Sequence, residues 1–132
     1  MSSNQPPPDS GEIWLRRARS DLRLGQIALD TPDVLLEDSC FHAQQCAEKA
    51  LKALLIDRAI EFPRTHVLEM LLDLLKTNHI DVPDEVDEAF ELTQYAVQTR
   101  YPGAWEPVTR QETEAALERA GQVLAWVEVQ LT

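Results

Sequence analysis

Apolar residues recur along this chain at helical rather than alternating intervals. The densest case is residues 40–56, CFHAQQCAEKALKALLI, with no Gly, no Pro and no β-branched residue before the last position. Ala, Leu, Lys, Gln and Glu lose little side-chain freedom in a helix, so the stretch predicts a helix of several turns. At about 100° per residue, Cys40, Ala43, Cys46, Ala47, Ala50, Leu51, Leu54 and Leu55 share one arc. His42, Gln45, Lys49 and Lys52 fall opposite, as a polar stripe. Gln44 and Glu48 interrupt this division by landing inside the apolar arc. A buried carboxylate requires a donor or a cation, so Glu48 is expected to have a fixed partner. Arg100, tying a fourth helix to the second, is the candidate.

The same periodicity organises the rest. Residues 1–8 are polar and proline-rich and read as a disordered tail, leaving residues 9–132 as one helical domain. Asp9 and Glu12 have capping-box spacing before Leu15, Ala18, Leu22, Gly25 and Leu29, predicting a first helix to about Ala28. Gly25 on that seam predicts close helix contact. Pro32 ends the helix and Asp33 is placed to cap a second, from about Val34 to Ala59. After Pro63, Thr65 and Glu69 predict a third start with His66 in its first turn, then Leu68, Leu71, Leu72 and Leu75. Pro83 suits the first turn of a fourth helix carrying Val86, Ala89, Phe90, Thr93 and Val97 inward, broken at Arg100-Tyr101-Pro102-Gly103. Thr109 and Glu112 repeat the capping spacing before Leu117, Ala120, Leu124, Val127 and Leu131. No stretch alternates long enough for a sheet. The expected fold is all-α, an antiparallel up-and-down four-helix bundle with an additional short helix, about five helices in all.

Charge then limits the chemistry. A net charge of -11 over 132 residues argues against a surface that tracks a phosphate backbone along much of its length. Arg16, Arg17, Arg19 and Arg23 nevertheless cluster near the front, while Asp81, Asp84, Glu85, Asp87, Glu88 and Glu91 form a run without Lys or Arg, read as a solvated face. Cys40 and Cys46 lie on the apolar side of one helix and read as small core residues of a reducing compartment. His42, His66 and His79 form no local ligand pattern, so neither a metal nor a cofactor is expected. With no signal-like leader and no apolar run long enough to cross a bilayer, the expected location is the cytoplasm.

Three segments together, FHAQQCAEKALKALLI at 41–56, HVLEMLLDLL at 66–75 and TRYPG at 99–103, followed by a long closing helix, resemble the HEPN domain family (higher eukaryotes and prokaryotes nucleotide-binding). The resemblance spans roughly residues 10–131. It implies a helical bundle, commonly dimeric, working with a nucleotidyltransferase partner as in toxin–antitoxin-like pairs. Many members are metal-independent ribonucleases marked by an Arg, four to six residues, then a His. Here Arg58 and His66 are separated by seven residues and Arg64 and His66 by one, and no Arg or Lys stands at the required distance before His42 or His79. The signature is absent, which favours a non-catalytic nucleotide- or substrate-binding protein. The alternatives are a divergent ribonuclease using His66 and Arg100, and an interaction module whose acidic run meets a basic partner.

Candidate ligand contacts follow from residue type and place. Lys49 and Lys52, with His42 and Gln45, form the polar stripe of the second helix, and phosphate contact is the role the resemblance gives its ammonium groups. Arg64 and His66 stand at a helix start, where the backbone N–H groups favour an anion. Arg100 and Tyr101 pair a phosphate-binding guanidinium with a stacking ring, and Trp105 is the tryptophan placed in a loop for base stacking. Trp14 and Trp126 read as core or interface anchors.

Overall fold

The computed structural model describes residues 10–98 and 106–131, and among them every regular element is helical. α1 (Gly11–Leu29) and α2 (Leu36–Asp57) form an antiparallel hairpin, followed by α3 (Leu68–Thr77). A composite rod comes next: α4 (Asp84–Asp87), a 3₁₀ helix (Glu88–Gln94) and α5 (Tyr95–Gln98). α6 (Arg110–Gln130) closes the chain. Counted as rods, these are the five helices the periodicity implies, and α3 is the addition to an up-down-up-down set.

Register follows from side chains that cross between elements. The Cys40 and Cys46 thiols reach Thr113 and the Ala120 carbonyl, so α2 and α6 run parallel. Gly25 of α1 meets Leu117 of α6 while Arg19 reaches Glu128, so α1 runs antiparallel to α6. A Cβ at Gly25 would lie 2.7 Å from Leu117 Cδ2 and 3.2 Å from the Ser39 carbonyl oxygen. Ser39 Oγ also donates to the Gly25 carbonyl at 2.6 Å, so the glycine lets three helices approach at one point. The core is a continuous set of aliphatic side chains, with Leu51, Leu54, Leu55, Leu71 and Leu75 fully buried. Trp14 and Trp126 pack against it from its edge.

The helix starts differ in part from their expected caps. Ser10 caps α1, accepting from the Ile13 N–H at 3.3 Å; the proposed cap Asp9 lies outside the described residues. Asp33 does not cap α2. It takes a left-handed conformation (φ 67°) in the turn, and Leu35 occupies the N-cap without a side-chain bond. α3 begins at Leu68, so His66 precedes the helix instead of lying in its first turn. Its first N–H, on Leu68, is satisfied from another element: Thr93 Oγ accepts it at 3.0 Å and donates to Glu69. At α6 the expected Thr109 cap forms, accepting from the Glu112 N–H at 3.0 Å. The Glu112 carboxylate does not return the bond and instead accepts from Tyr95 OH. Burial first, and then that carboxylate, push the Tyr95 phenol above its ordinary range, so it remains a donor.

The composite rod corrects the expected inward face of the fourth helix. Phe90 and Val97 are 45% and 48% exposed, and Thr93 is only half-buried; the inward residues are Val86, Ala89, Leu92 and Tyr95. These recur every third residue, because 3₁₀ winding stacks side chains i and i+3 where an α-helix drifts between three and four.

Candidate functional site

Helical spacing carries the polar residues of α2 along one side of the helix, and two buried carboxylates organise them. Glu48 lies in the core with Gln44 one turn earlier. One carboxylate oxygen of Glu48 accepts from Lys52 Nζ at 2.9 Å; the other meets His66 Nδ1 at 2.8 Å and Gln44 Nε2 at 3.1 Å. Gln44 Nε2 also donates to the His66 backbone carbonyl at 3.1 Å. His66 is therefore fixed at both its ring and its backbone, although it belongs to a loop and its side chain is 55% exposed. Burial alone would raise the Glu48 carboxyl, but hydrogen bonds from Lys52, His66 and Gln44 more than offset this and hold it below its ordinary value. With Nδ1 on an ionised carboxylate, the imidazole turns its other nitrogen, Nε2, away from Glu48.

A second carboxylate repeats the arrangement. Asp21 of α1 is buried, with one oxygen 2.9 Å from His42 Nδ1 and the other 2.6 Å from Lys49 Nζ. Each acid thus takes one lysine and one histidine, joining α1 to α2 in one case and α2 to the loop before α3 in the other.

This geometry redistributes the expected roles. Lys52 was placed on a solvent-facing stripe, but its side chain is only 8% exposed. Its ammonium lies 5.4 Å from the Trp14 ring centre and 5.8 Å from that of Phe62, with Glu48 as counter-ion, so it does not reach out to a ligand. The ring faces and the carboxylate compensate its lost hydration. Lys49 is half-buried and bonded to Asp21, and His42 shares that acid. Gln45 donates to the Gln44 side-chain oxygen at 2.7 Å, closing the network around Glu48. Arg64 is exposed two residues before His66, with no ion pair among the described residues. Arg100, Tyr101 and Trp105 lie outside the described residues; among the described residues the partners of Glu48 are Lys52, His66, Gln44 and, at 3.4 Å, Gln45.

Asp21 escaped the reading of the chain, although a signal was present. It follows Ala18 by three residues and precedes Gly25 by four, a charged group inside the inward arc of α1. Burial pushes the Cys40 thiol up to about 11 and that of Cys46 to about 12, which leaves both as unreactive core groups. No helix among the described residues is long and apolar enough to cross a membrane.

The family model described as HEPN domain matches residues 12–130. "Putative toxin MJ1304" of Methanocaldococcus jannaschii is 29% identical over 127 residues, covering 86% of this chain and 82% of that protein. Among solved structures, TT1696 from Thermus thermophilus superposes with a TM-score of 0.77 at 39% identity, over 91% of this chain and 97% of its own. ST0689, described as an archaeal HEPN homologue, gives 0.75 at 28% identity, over 93% and 98%.

Proposed function

Because this chain belongs to the HEPN domain family, we propose that it is a toxin–antitoxin-type HEPN protein that binds a nucleotide or another phosphate-bearing substrate at His66. On this reading it is a cytoplasmic homodimer that works with a nucleotidyltransferase partner and does not itself cut RNA. The observation that carries the reading is His66, an exposed loop imidazole held at ring and backbone by a buried acid and its glutamine. Burying a carboxylate is costly, and a leucine at position 48 would pack α2 more simply. The expenditure is accounted for if the orientation of His66 matters. Arg64, two residues away, adds a guanidinium suited to phosphate. The relative named as a toxin supports the toxin–antitoxin setting.

Titration calorimetry with ATP, GTP and AMP, with and without a nucleotidyltransferase partner, tests the reading. Binding is expected to weaken about tenfold, near 1.4 kcal/mol, in either His66→Ala or Arg64→Ala. Absence of heat with every nucleotide under both conditions removes the binding function.

A second reading has its own support. An imidazole whose Nδ1 is held by a carboxylate has the base-and-orienter arrangement used in proton transfer. A divergent ribonuclease using His66, with Arg100 holding the phosphate, would exploit it despite the missing signature. Cleavage of RNA by purified protein, lost in His66→Ala, supports this alternative, whereas RNA left intact after long incubation excludes it.

A further inference from the structure

The tautomer of His66 is fixed by its surroundings. An ionised carboxylate only accepts hydrogen bonds, so the 2.8 Å contact of Nδ1 with Glu48 Oε1 places a proton on Nδ1. The Gln44 amide agrees with this assignment. Its oxygen accepts from Gln45, while its nitrogen donates to the same Glu48 oxygen and to the His66 carbonyl, which leaves Glu48 the acceptor throughout. Neutral His66 therefore carries a lone pair at Nε2, the nitrogen turned away from Glu48. That lone pair repels the unprotonated oxygens of a phosphate, and only the imidazolium, with a proton on each nitrogen, donates to one.

We propose that His66 takes up a proton as its ligand binds, so that the site recognises an anionic phosphoryl oxygen through an imidazolium and not through a neutral ring. The inference rests on the binding reading of His66 above and adds to it the state in which the ring binds. The proton comes from solvent and joins the Nε2 lone pair, while Nδ1 keeps its bond to Glu48. Charges around the ring explain why the two events are coupled. From α2, the Glu48 charge is already matched by the buried Lys52 ammonium at 2.9 Å. The loop brings exposed Arg64, and also Glu61, which lines a groove with Ile56, Ile60 and Phe62 at the end of α2. α3 brings Glu69 in its first turn, where its carboxylate accepts from Thr93 Oγ of the 3₁₀ helix. Among the described residues no carboxylate but Glu48 bonds the ring. A proton on Nε2 thus adds positive charge beside a neutral ion pair and a guanidinium, and an arriving anion balances it. Each then favours the other by the same factor.

The test is ring-labelled ¹⁵N-histidine NMR of the full chain over about pH 6 to 8, spanning the ordinary histidine range. Spectra are compared with and without saturating nucleotide, using whichever of AMP, GTP and ATP binds tightest. Nε2 of His66 is expected to keep its proton to about one pH unit higher with nucleotide, the counterpart of a roughly tenfold coupling. Calorimetry reads the same proton from the solvent side, as a binding enthalpy that changes with the ionisation enthalpy of the buffer. Because the nucleotide's own phosphate also titrates, His66→Gln, which keeps a polar side chain but has no ring to protonate, isolates the histidine share: the variant takes up less. If that variant no longer binds, the NMR titration of the unaltered protein decides alone. A His66 Nε2 whose titration is unmoved or lowered by saturating nucleotide overturns the inference, leaves binding in place and gives the neutral ring a hydroxyl or amine of the ligand. Failure of all three nucleotides to bind at any of these pH values removes the binding reading and the inference with it.

Discussion

At the scale of single residues, Glu48 determines what α2 can do. It sits among leucines because its four donors, Lys52, His66, Gln44 and Gln45, are all within bonding distance, and removing it leaves Lys52 buried without a counter-ion. Glu48→Ala is expected to lower stability by about 3–5 kcal/mol in urea denaturation, the range for breaking a buried ion pair. The pH dependence follows from the sign of the shift. The folded carboxyl lies below its ordinary value, so the unfolded chain binds the proton more readily. Its contribution is fully present above the ordinary carboxylate value of about 4.3 and is lost as pH falls through the folded value. The stability gap between the unaltered protein and Glu48→Gln should therefore be widest above about pH 5 and close on acidification; a gap constant into acid would contradict the linkage. Cys40 and Cys46 yield a simpler expectation: with thiols raised to about 11 and 12, neither should be alkylated by iodoacetamide at neutral pH until the protein unfolds. That Glu48 needs a partner was legible from its place on the helical arc. Which partner it takes was not, because Lys52 appears on the polar side of a wheel that ignores how far a four-carbon stem can bend.

At the scale of elements, α1, α2 and α6 followed from periodicity, and the composite rod did not. Val86, Ala89 and Leu92 fit both a 3.0 and a 3.6 repeat at their start, and the two repeats separate only by Phe90 and Val97. Truncation distinguishes them: Leu92→Ala should cost about 2–5 kcal/mol, and Phe90→Ala well under half of that. Equal losses would mean that the rod is wound as an α-helix. The end of α2 gives a second check. Ala59 holds φ 57° while the Ile60 N–H returns to the Leu55 carbonyl at 2.9 Å, a helix stop that favours glycine. Ala59→Gly should raise stability by about 0.5–1 kcal/mol. At Gly25 the opposite holds. Gly25→Ala forces a methyl against Leu117 and the Ser39 carbonyl, and a loss of about 1–3 kcal/mol is expected in thermal or urea unfolding.

At the scale of the whole molecule, a strongly acidic chain collects its cations where they can work. Lys49 and Lys52 of α2 each meet a buried acid, Arg64 stands exposed on the loop that follows, and Arg16 and Arg23 lie exposed on α1. Net charge alone conveys neither grouping, since it averages over surfaces that folding separates, whereas residue order already shows both clusters. The bundle was readable because helical repeats report burial locally. The pairing of Asp21 with His42 and Lys49 was not, because it joins residues more than twenty positions apart. The proposed function depends on His66 being presented to a ligand with its orientation fixed, and ring-labelled ¹⁵N-histidine NMR during an ATP or GTP titration observes this directly. The account predicts that His66 Nδ1 remains in the hydrogen-bonded range throughout while its Nε2 resonance moves to saturation. A His66 ring that shows no bond to Glu48, or an Nε2 signal unmoved at saturating nucleotide, would contradict it.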